Sequence, residues 1–296
     1  SFLDAHSTSG VCTPTRYSVL TGRYHWRSRL KRGIVGKWER PLIEAERLTL
    51  PEMLKTRGYN TAAIGKWHLG WNWPKKGGGF TADQKQIDFT QPVKGGPNDH
   101  GFDYAFGDDV PNWPPYCWRE NEMLIGPLTA TMKGGAMVGV SSGPAVPNWD
   151  FTAVLPEYAR RCSAWITAQA KEEAPFFLYV PLPSPHTPIA PDKTWLGKSK
   201  VSPYADFLLE TDWAVEQILK ALEESGQADN TLVIFTCDNG TSPKANFAQL
   251  EAKGINLPPP FQGKEFDPPR GFRKALIDFS GVAVIAEAKK AKIAKI

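Results

Sequence analysis

Three short apolar runs have the length and composition of buried β-strands. They cover residues 61–64, 176–180 and 232–236. Apolar runs of four to eight residues bounded by turn-forming residues are typical of strands covered on both faces. Each run follows a stretch in which apolar residues recur at helical spacing. A helix before each strand predicts an α/β fold, with a mostly parallel sheet flanked by helices on both faces.

Capping residues delimit the predicted helices. The clearest helix follows Ser202 and Pro203 and ends at Gly226. Serine is a favoured N-cap, proline suits the first helical turn, and glycine ends helices in the left-handed conformation. Two further helices are predicted over about 152–171 and from about 49 to 58.

Residues 71–150 lack regular periodicity and are rich in Gly, Pro, Trp and Asn. We interpret them as a long, loop-rich excursion of one catalytic domain over residues 1–280, lying near the substrate entrance. Residues 281–296 are rich in Lys and Ala, and we expect them to form a frayed tail.

Composition narrows the class of protein. The 296 residues are 41% hydrophobic and 22% charged, which is typical of a globular chain and argues against disorder. The longest apolar runs are far too short to span a membrane, and the net charge of +4 lies mostly in the tail, so neither a membrane span nor a nucleic-acid-binding face is expected. The chain opens at Ser1 without an initiator Met or a visible export signal, and we expect it to be incomplete at both ends.

The cysteines do not indicate a disulfide scaffold or a zinc site. The chain has four, with no Cys-x-x-Cys pair. Four cysteines in a chain of this length are too few for a disulfide scaffold, and they do not settle the redox compartment.

Polar side chains follow each of the three predicted strands. Lys66 and His68 come after the first, His186 after the second, and Asp238 and Asn239 after the third. Ligands of open α/β sheets bind beyond the carboxyl ends of the strands, so these side chains are expected to meet at one edge. Each segment alone is also common in ordinary loops and turns, but together they favour a site.

The chemistry of these residues suggests an anionic ester as the ligand. Asp238 and Asn239 offer hard oxygen atoms, which suit Ca²⁺ or Mg²⁺ better than zinc. Lys66, His68 and His186 are possible donors to an anion. A divalent metal beside cationic donors suits a sulfate or phosphate ester.

A further candidate lies in the segment Cys12-Thr13-Pro14-Thr15-Arg16. Pro14 can occupy a first helical turn, and Gly22 can end the helix. Cys12 would then lie at a helix N-terminus, which favours an anion, with Arg16 one turn further on the same side. The pattern alone leaves both an activated thiol and a buried structural cysteine open.

The motif Cys-x-Pro-x-Arg, followed by Leu-Thr-Gly-Arg at 20–23, resembles the signature of the type I, formylglycine-dependent sulfatases of the arylsulfatase kind. Residues 58–70 resemble the second signature of that family. Segments 176–188, 211–213 and 229–240 resemble it as well, in the family's order. The resemblance covers about residues 1–245 and implies an alkaline-phosphatase-like α/β fold.

The resemblance also implies a mechanism. A formylglycine-generating enzyme would oxidise Cys12 to Cα-formylglycine, and one hydroxyl of its hydrate, held by Arg16, would attack the ester sulfur. Lys66 and His186 would bind the sulfate, and His186 or a later lysine would protonate the leaving alcohol. His68 would take the proton of the second hydroxyl, which expels the sulfate.

Metal and substrate ligands follow from the same resemblance. Asp238, Asn239 and the modified Cys12 would bind Ca²⁺, with Mg²⁺ possible. The family's metal site also uses paired aspartates on a strand well before the signature, and this chain starts too late to contain them. Lys274 is a candidate for a second substrate lysine, although one extra residue interrupts the motif there. The implied partners are a sulfate ester and the maturation enzyme, and the implied location is periplasmic or secreted.

Two alternatives stay open. A phosphonate monoester or phosphodiester hydrolase would share the formylglycine and the metal. A catalytically dead remnant would bind sulfated glycans without turning them over.

Overall fold

The computed structural model describes residues 7–239, 245, 247–254 and 281–287 of the chain. The helices in this part are α1 (Cys12–Thr21), α2 (Leu50–Lys55), α3 (Val154–Gln169), α4 (Pro203–Glu224) and α5 (Phe247–Ala252). The strands are β1 (Asn60–Ile64), β2 (Tyr104–Gly107), β3 (Arg119–Glu120), β4 (Met123–Leu124), β5 (Ala130–Met132), β6 (Gly143–Ala145), β7 (Phe176–Pro181), β8 (Thr231–Cys237) and β9 (Gly281–Glu287).

Seven of these strands form one sheet in the order β4-β3-β2-β1-β7-β9-β8. β1 pairs in parallel with β2 and with β7. β9 lies antiparallel to both β7 and β8, so β8 runs in the same direction as β7. The three predicted strands therefore point the same way, and their carboxyl ends share one edge. β5 and β6 form a separate antiparallel pair.

Local sequence signals explain the helix ends. The Ser202 side chain accepts a hydrogen bond from the Ala205 amide at the start of α4. α2 begins with a reciprocal capping box between Thr49 and Glu52. α1 ends at Gly22, which has φ of 63° and donates its N–H to Ser18 O. The predicted helices are confirmed, with ends one to three residues inside the predicted limits for α2 and α3.

The central sheet is covered on both faces. Along β7, alternate side chains enter two different hydrophobic clusters. The first cluster packs against α3 and α4 and includes Phe176, Leu178 and Val180. The second packs against α1 and the segment after β1 and includes Phe177 and Tyr179. This two-sided cover confirms the predicted layering of helices about a sheet.

Two strands differ from the sequence predictions. The excursion at 71–150 is largely irregular, but it contributes β2, which pairs with β1 inside the main sheet. Residues 281–287, assigned above to a frayed tail, form β9 between β7 and β8. Their Val-Ala-Val-Ile sequence is rich in β-branched residues, which favour strands.

The third predicted strand is less buried than expected. Leu232 is 65% exposed, and Val233, Ile234 and Phe235 are also exposed. β8 is an edge strand of the described sheet, and the described residues cover its faces incompletely. Within the described part of the chain, no helix is long and apolar enough to cross a membrane. All four cysteines are free.

Candidate functional site

The segment after β1 is fixed between the ends of the two neighbouring strands. The Gly65 amide donates to Phe106 O (2.9 Å), and the Lys66 amide donates to Pro181 O (2.8 Å). A Cβ atom on Gly65 would lie 2.4 Å from Pro181 O, and φ there is 144°, so only glycine fits. This close approach directs the following residues, Lys66 to His68, into the space beyond the sheet edge.

Cys12 and His68 meet in this space. The Sγ atom of Cys12 lies 3.0 Å from Nδ1 of His68, and the two residues are only 7% and 2% exposed. His68 has φ of 55° and is held there from two sides. The Asp109 carboxylate accepts its N–H (3.0 Å), and the Thr13 hydroxyl donates to its carbonyl oxygen (3.0 Å).

The tautomer of His68 follows from its partners. Its Nε2 atom lies 3.1 Å from Val35 O, which can only accept, so Nε2 carries the proton. Nδ1 is then the acceptor, and the Cys12 thiol donates to it. Burial, followed by the charge of Lys66, lowers the pKa of His68 to about 3. His68 is therefore a neutral base at pH 7, with its free lone pair directed at Cys12.

Cys12 also lies at the N-terminus of a helix that has no side-chain cap. It is the first residue of α1, and the N-cap residue, Val11, makes no side-chain cap hydrogen bond. The first-turn N–H groups of a helix without a side-chain cap can receive an anion. The local field at Cys12 therefore favours negative charge.

Arg16 is the central cation of the site. Its guanidinium forms a fully buried ion pair with Asp238 (2.9 Å) and also donates to Lys66 O (3.0 Å). Burial by itself lowers the pKa of Arg16, but Asp238, Tyr179 and Cys12 together outweigh burial, so the pKa is raised. The Thr15 hydroxyl donates to Asp238 O (2.7 Å), which fastens α1 to the end of β8.

Lys66 and His186 complete the group of possible anion ligands. The Nζ atom of Lys66 is fully buried and has no hydrogen-bond partner among the described residues. His186 Nδ1 lies 2.7 Å from Thr187 O, so it carries the proton and leaves the Nε2 lone pair free. Burial, followed by the charges of Lys66 and Arg16, lowers the pKa of His186 to about 3. His186 therefore belongs to the same cluster and is neutral at pH 7.

The expected metal site is only partly present in the described residues. Asp238 and Asn239 are adjacent at the end of β8, but Asp238 already pairs with Arg16. No group of three or more His, Cys, Asp or Glu side chains in the described ranges could hold a metal. Ca²⁺ takes about 6–8 oxygen ligands, so these two residues do not make a calcium site by themselves. Lys274 lies outside the described residues.

Three neighbours of the site were not predicted. Asp108 and Asp109 follow β2, and the Trp113 ring meets the His68 ring edge-on at 5.2 Å. The two aspartates carry the same signal that led to Lys66 and His186, because they are polar residues directly after a strand. It was missed because β2 has only four residues and was interpreted as part of a loop.

Comparison with known proteins decides the family. The sequence model described as Sulfatase matches residues 1–262. The chain belongs to the sulfatase family. It is 30% identical over 272 residues to N-acetylgalactosamine-6-O-sulfatase of Bacteroides thetaiotaomicron, and the match covers 81% of this chain and 51% of that protein. It is also 30% identical to human arylsulfatase A over 246 residues, covering 81% of this chain and 44% of that protein. This sulfatase chain thus spans about half the length of these relatives.

Solved structures confirm the alkaline-phosphatase-like α/β fold. One is a structure described under the metabolism of multiple glycosaminoglycans by Bacteroides thetaiotaomicron. It superposes on this chain with a TM-score of 0.70 at 24% identity. The superposition covers 84% of this sulfatase chain and 58% of that chain.

Proposed function

We propose that this chain forms the catalytic core of an enzyme that hydrolyses sulfate esters of carbohydrates, with Cys12 as the precursor of its nucleophile. The contact between Cys12 Sγ and His68 Nδ1 supports this proposal most directly. It places the residue that carries the family's signature against a neutral base, beside the buried side chains of Arg16 and Lys66 and the partly buried His186.

The proposed nucleophile is formed before catalysis. A formylglycine-generating enzyme oxidises Cys12 to an aldehyde, and addition of water gives a carbon with two hydroxyl groups. One hydroxyl gives its proton to the Asp238 carboxylate as its oxygen forms a bond to the ester sulfur, and the bond between sulfur and the leaving alcohol breaks as that alcohol takes a proton from His186. The second hydroxyl then gives its proton to His68 Nδ1, the bond between the first oxygen and carbon breaks, and sulfate leaves as the aldehyde is restored.

The geometry around His68 is suited to this second step. Both hydroxyl groups would replace the thiol on the Cβ atom of Cys12, so they would lie within reach of Nδ1. Burial and the charge of Lys66 keep His68 unprotonated at neutral pH, and the negative charge of the bound sulfate group would raise the pKa of His68 and so favour proton acceptance. The Val35 carbonyl keeps the other ring nitrogen protonated, and this fixes the tautomer.

Sulfate binding is assigned to Lys66, His186 and Arg16. The Lys66 ammonium is buried without a hydrogen-bond partner among the described residues, and an anion would satisfy it. A bound anion would also favour the protonated form of His186 and raise its pKa. His186 could then give a proton to the leaving alcohol, which is the role we propose for it.

A metal ion remains part of the proposal. Ca²⁺, or Mg²⁺ in its place, would be bound by oxygen atoms of Asp238, Asn239 and the modified Cys12, with its other ligands outside the described residues. The ion would supply positive charge that withdraws electrons from the sulfate group and the nucleophile.

The names of two relatives support the two proposed substrate classes, a sugar sulfate and an aryl sulfate. One is an N-acetylgalactosamine-6-O-sulfatase, and the other is an arylsulfatase. We propose a sulfated sugar as the natural substrate and an aryl sulfate as a usable substitute. As in the sequence analysis, a periplasmic or secreted location is part of this proposal.

The test is a substrate panel with the protein produced alongside a formylglycine-generating enzyme and supplied with Ca²⁺. The panel holds sulfated galactosamine and glucosamine, an aryl sulfate, a phosphonate monoester and a phosphodiester. Release of sulfate that disappears in Cys12→Ala and persists in Cys162→Ala would support the proposal. The second variant removes an equally buried thiol from the core cluster between α3 and α4.

Other outcomes of the panel point to the alternatives. Turnover of the phosphorus esters alone would favour a phosphonate monoester or phosphodiester hydrolase. Binding of sulfated glycans without turnover would favour a catalytically dead remnant.

A further inference from the structure

We propose that Asp108 is a positioning residue of the anion site, which sets the affinity for sulfate by neutralising Lys66 when the site holds no anion. This inference rests on the proposed function, because it takes Lys66 as a sulfate ligand. Asp108 belongs to none of the sequence motifs described above.

Strand pairing brings the two residues together. In the parallel pair of β1 and β2, Ile64 lies opposite Phe106. The pairing continues past the strand ends, because Gly65 N donates to Phe106 O and Trp67 N donates to Asp108 O (3.1 Å). Lys66 and Asp108 therefore leave the sheet side by side, at the edge where Cys12 and His68 lie.

Both residues have unused hydrogen-bonding capacity. Asp108 Oδ1 accepts from the Tyr158 hydroxyl (2.9 Å), but its Oδ2 is buried without a partner among the described residues. Lys66 Nζ is buried and unpartnered in the same part of the chain. Burying either charge alone is costly, and a neighbouring opposite charge reduces that cost. The two groups are thus each other's compensating charge, joined by electrostatics and not by a direct hydrogen bond.

The charge on Asp108 depends on the groups around it. Burial is the main cause that raises the pKa of Asp108, and the Asp109 carboxylate raises it as well. The Tyr158 hydroxyl and the charge of Lys66 lower it, and the resulting pKa is about 6. Arg119 and Cys117 also interact electrostatically with Asp108. Arg119 is further held by stacking on the Trp71 ring at 4.2 Å. Asp108 is therefore neutral in weak acid and a carboxylate above neutral pH.

A carboxylate at this position competes with sulfate for Lys66. Above pH 7, a bound anion shares the ammonium with a like charge, so binding is weaker. Below pH 6, Asp108 is neutral and the full charge of Lys66 faces the anion. The carboxylate therefore limits retention of the product sulfate at neutral and higher pH.

The test is calorimetric titration of the protein with inorganic sulfate at pH 5, 6.5 and 8, with Ca²⁺ constant. For the wild type, we expect affinity to fall about tenfold or more between pH 5 and pH 8. Asp108→Asn should bind at pH 8 at least tenfold more tightly than the wild type and equal it at pH 5. Asp88→Asn, which removes an exposed carboxylate, is the matched control and should follow the wild type. His68 and His186 are present in every variant, so the difference between Asp108→Asn and the wild type isolates Asp108.

A second variant keeps the carboxylate in place. Tyr158→Phe removes a hydrogen bond that lowers the pKa of Asp108, so the midpoint of the affinity change should move to higher pH. Thermal melting of both variants checks that they fold. Equal pH profiles for Asp108→Asn and the wild type would overturn this inference alone. Absence of sulfate binding at every pH in the wild type would overturn the proposed anion site, and this inference with it.

Discussion

Cys12 Sγ lies 3.0 Å from Nδ1 of His68, across 56 positions of sequence. The contact joins the N-terminus of α1 to the loop after β1. Hydrogen bonds between the His68 backbone and the side chains of Thr13 and Asp109 hold His68 in place. Since Val35 O fixes the tautomer, the only ring nitrogen able to accept a proton is the one that faces Cys12.

This geometry predicts that His68 acts after the sulfur has been transferred. In His68→Ala, the first transfer should still occur, but the second hydroxyl would lose its base. We expect turnover to fall by about 10²–10⁴-fold, and sulfate to remain attached at residue 12. Mass spectrometry of the peptide containing Cys12, after exposure to substrate, would detect the adduct. His25→Ala, which removes another buried histidine, should leave no adduct, and a His68→Ala protein without one would argue against this role.

His186 should matter most for poor leaving groups. Help from a general acid grows with the basicity of the departing oxygen. His186→Ala should therefore slow hydrolysis of a sugar sulfate by about 10²-fold or more, and that of nitrophenyl sulfate much less. Comparison of kcat for the two substrates measures the difference. Equal losses for both would leave His186 as a sulfate ligand without a role in proton transfer.

The buried pair of Arg16 and Asp238 should be important for stability. Asp238→Ala leaves the Arg16 guanidinium buried without its counter-charge, which costs about 3–5 kcal/mol of unfolding free energy. The double variant Arg16→Met with Asp238→Leu removes both charges and should recover much of that loss. Urea unfolding of the single and double variants gives both values. A single variant as stable as the wild type would show that the pair is not buried as described.

The histidines predict that acid destabilises the fold. Burial lowers the pKa of His68 and His186 from 6.5 to about 3, so the unfolded chain binds two more protons as pH falls below 6.5. Asp108 contributes to the pH dependence of stability with the opposite sign. Its pKa is raised to about 6 from 3.8, so the folded protein takes up this proton before the unfolded chain does. Between pH 6 and 4, these three groups leave a net difference of one proton, or about 1.4 kcal/mol of stability lost per pH unit.

Two variants separate the effect of the histidines on the pH dependence of stability from that of Asp108. His186→Asn should make the dependence of stability on pH flatter, and Asp108→Asn should make it steeper. Urea unfolding at pH 7, 6 and 5 measures these slopes. A slope unchanged in both variants would contradict the buried, neutral state of His186 and the raised pKa of Asp108.

Local sequence signals predicted the elements that they control directly. The caps Ser202 and Gly22 delimit α4 and α1 as expected, and the rule about strand ends led to Lys66, His68, His186 and Asp238. Four of the named site residues, Cys12, Arg16, Lys66 and His68, are connected by direct contacts or by chain neighbours. Their proposed roles remain predictions.

The sequence did not indicate the features that depend on partners far along the chain. β2 was missed because its four residues form a strand only beside β1, and Asp108 and Asp109 were missed with it. β9 inserts between β7 and β8 through pairing across more than forty positions, which no local pattern encodes. Lys274 lies outside the described residues, so its place near the substrate stays a prediction.

The most direct test of the central claim is the chemical state of Cys12. The protein is produced together with a formylglycine-generating enzyme, digested, and its peptides are analysed by mass spectrometry with and without hydrazide labelling. The account predicts an aldehyde at position 12 that reacts with hydrazide, with Cys117, Cys162 and Cys237 remaining thiols. An unmodified thiol at Cys12, under conditions in which a known sulfatase is converted in the same cells, would contradict it.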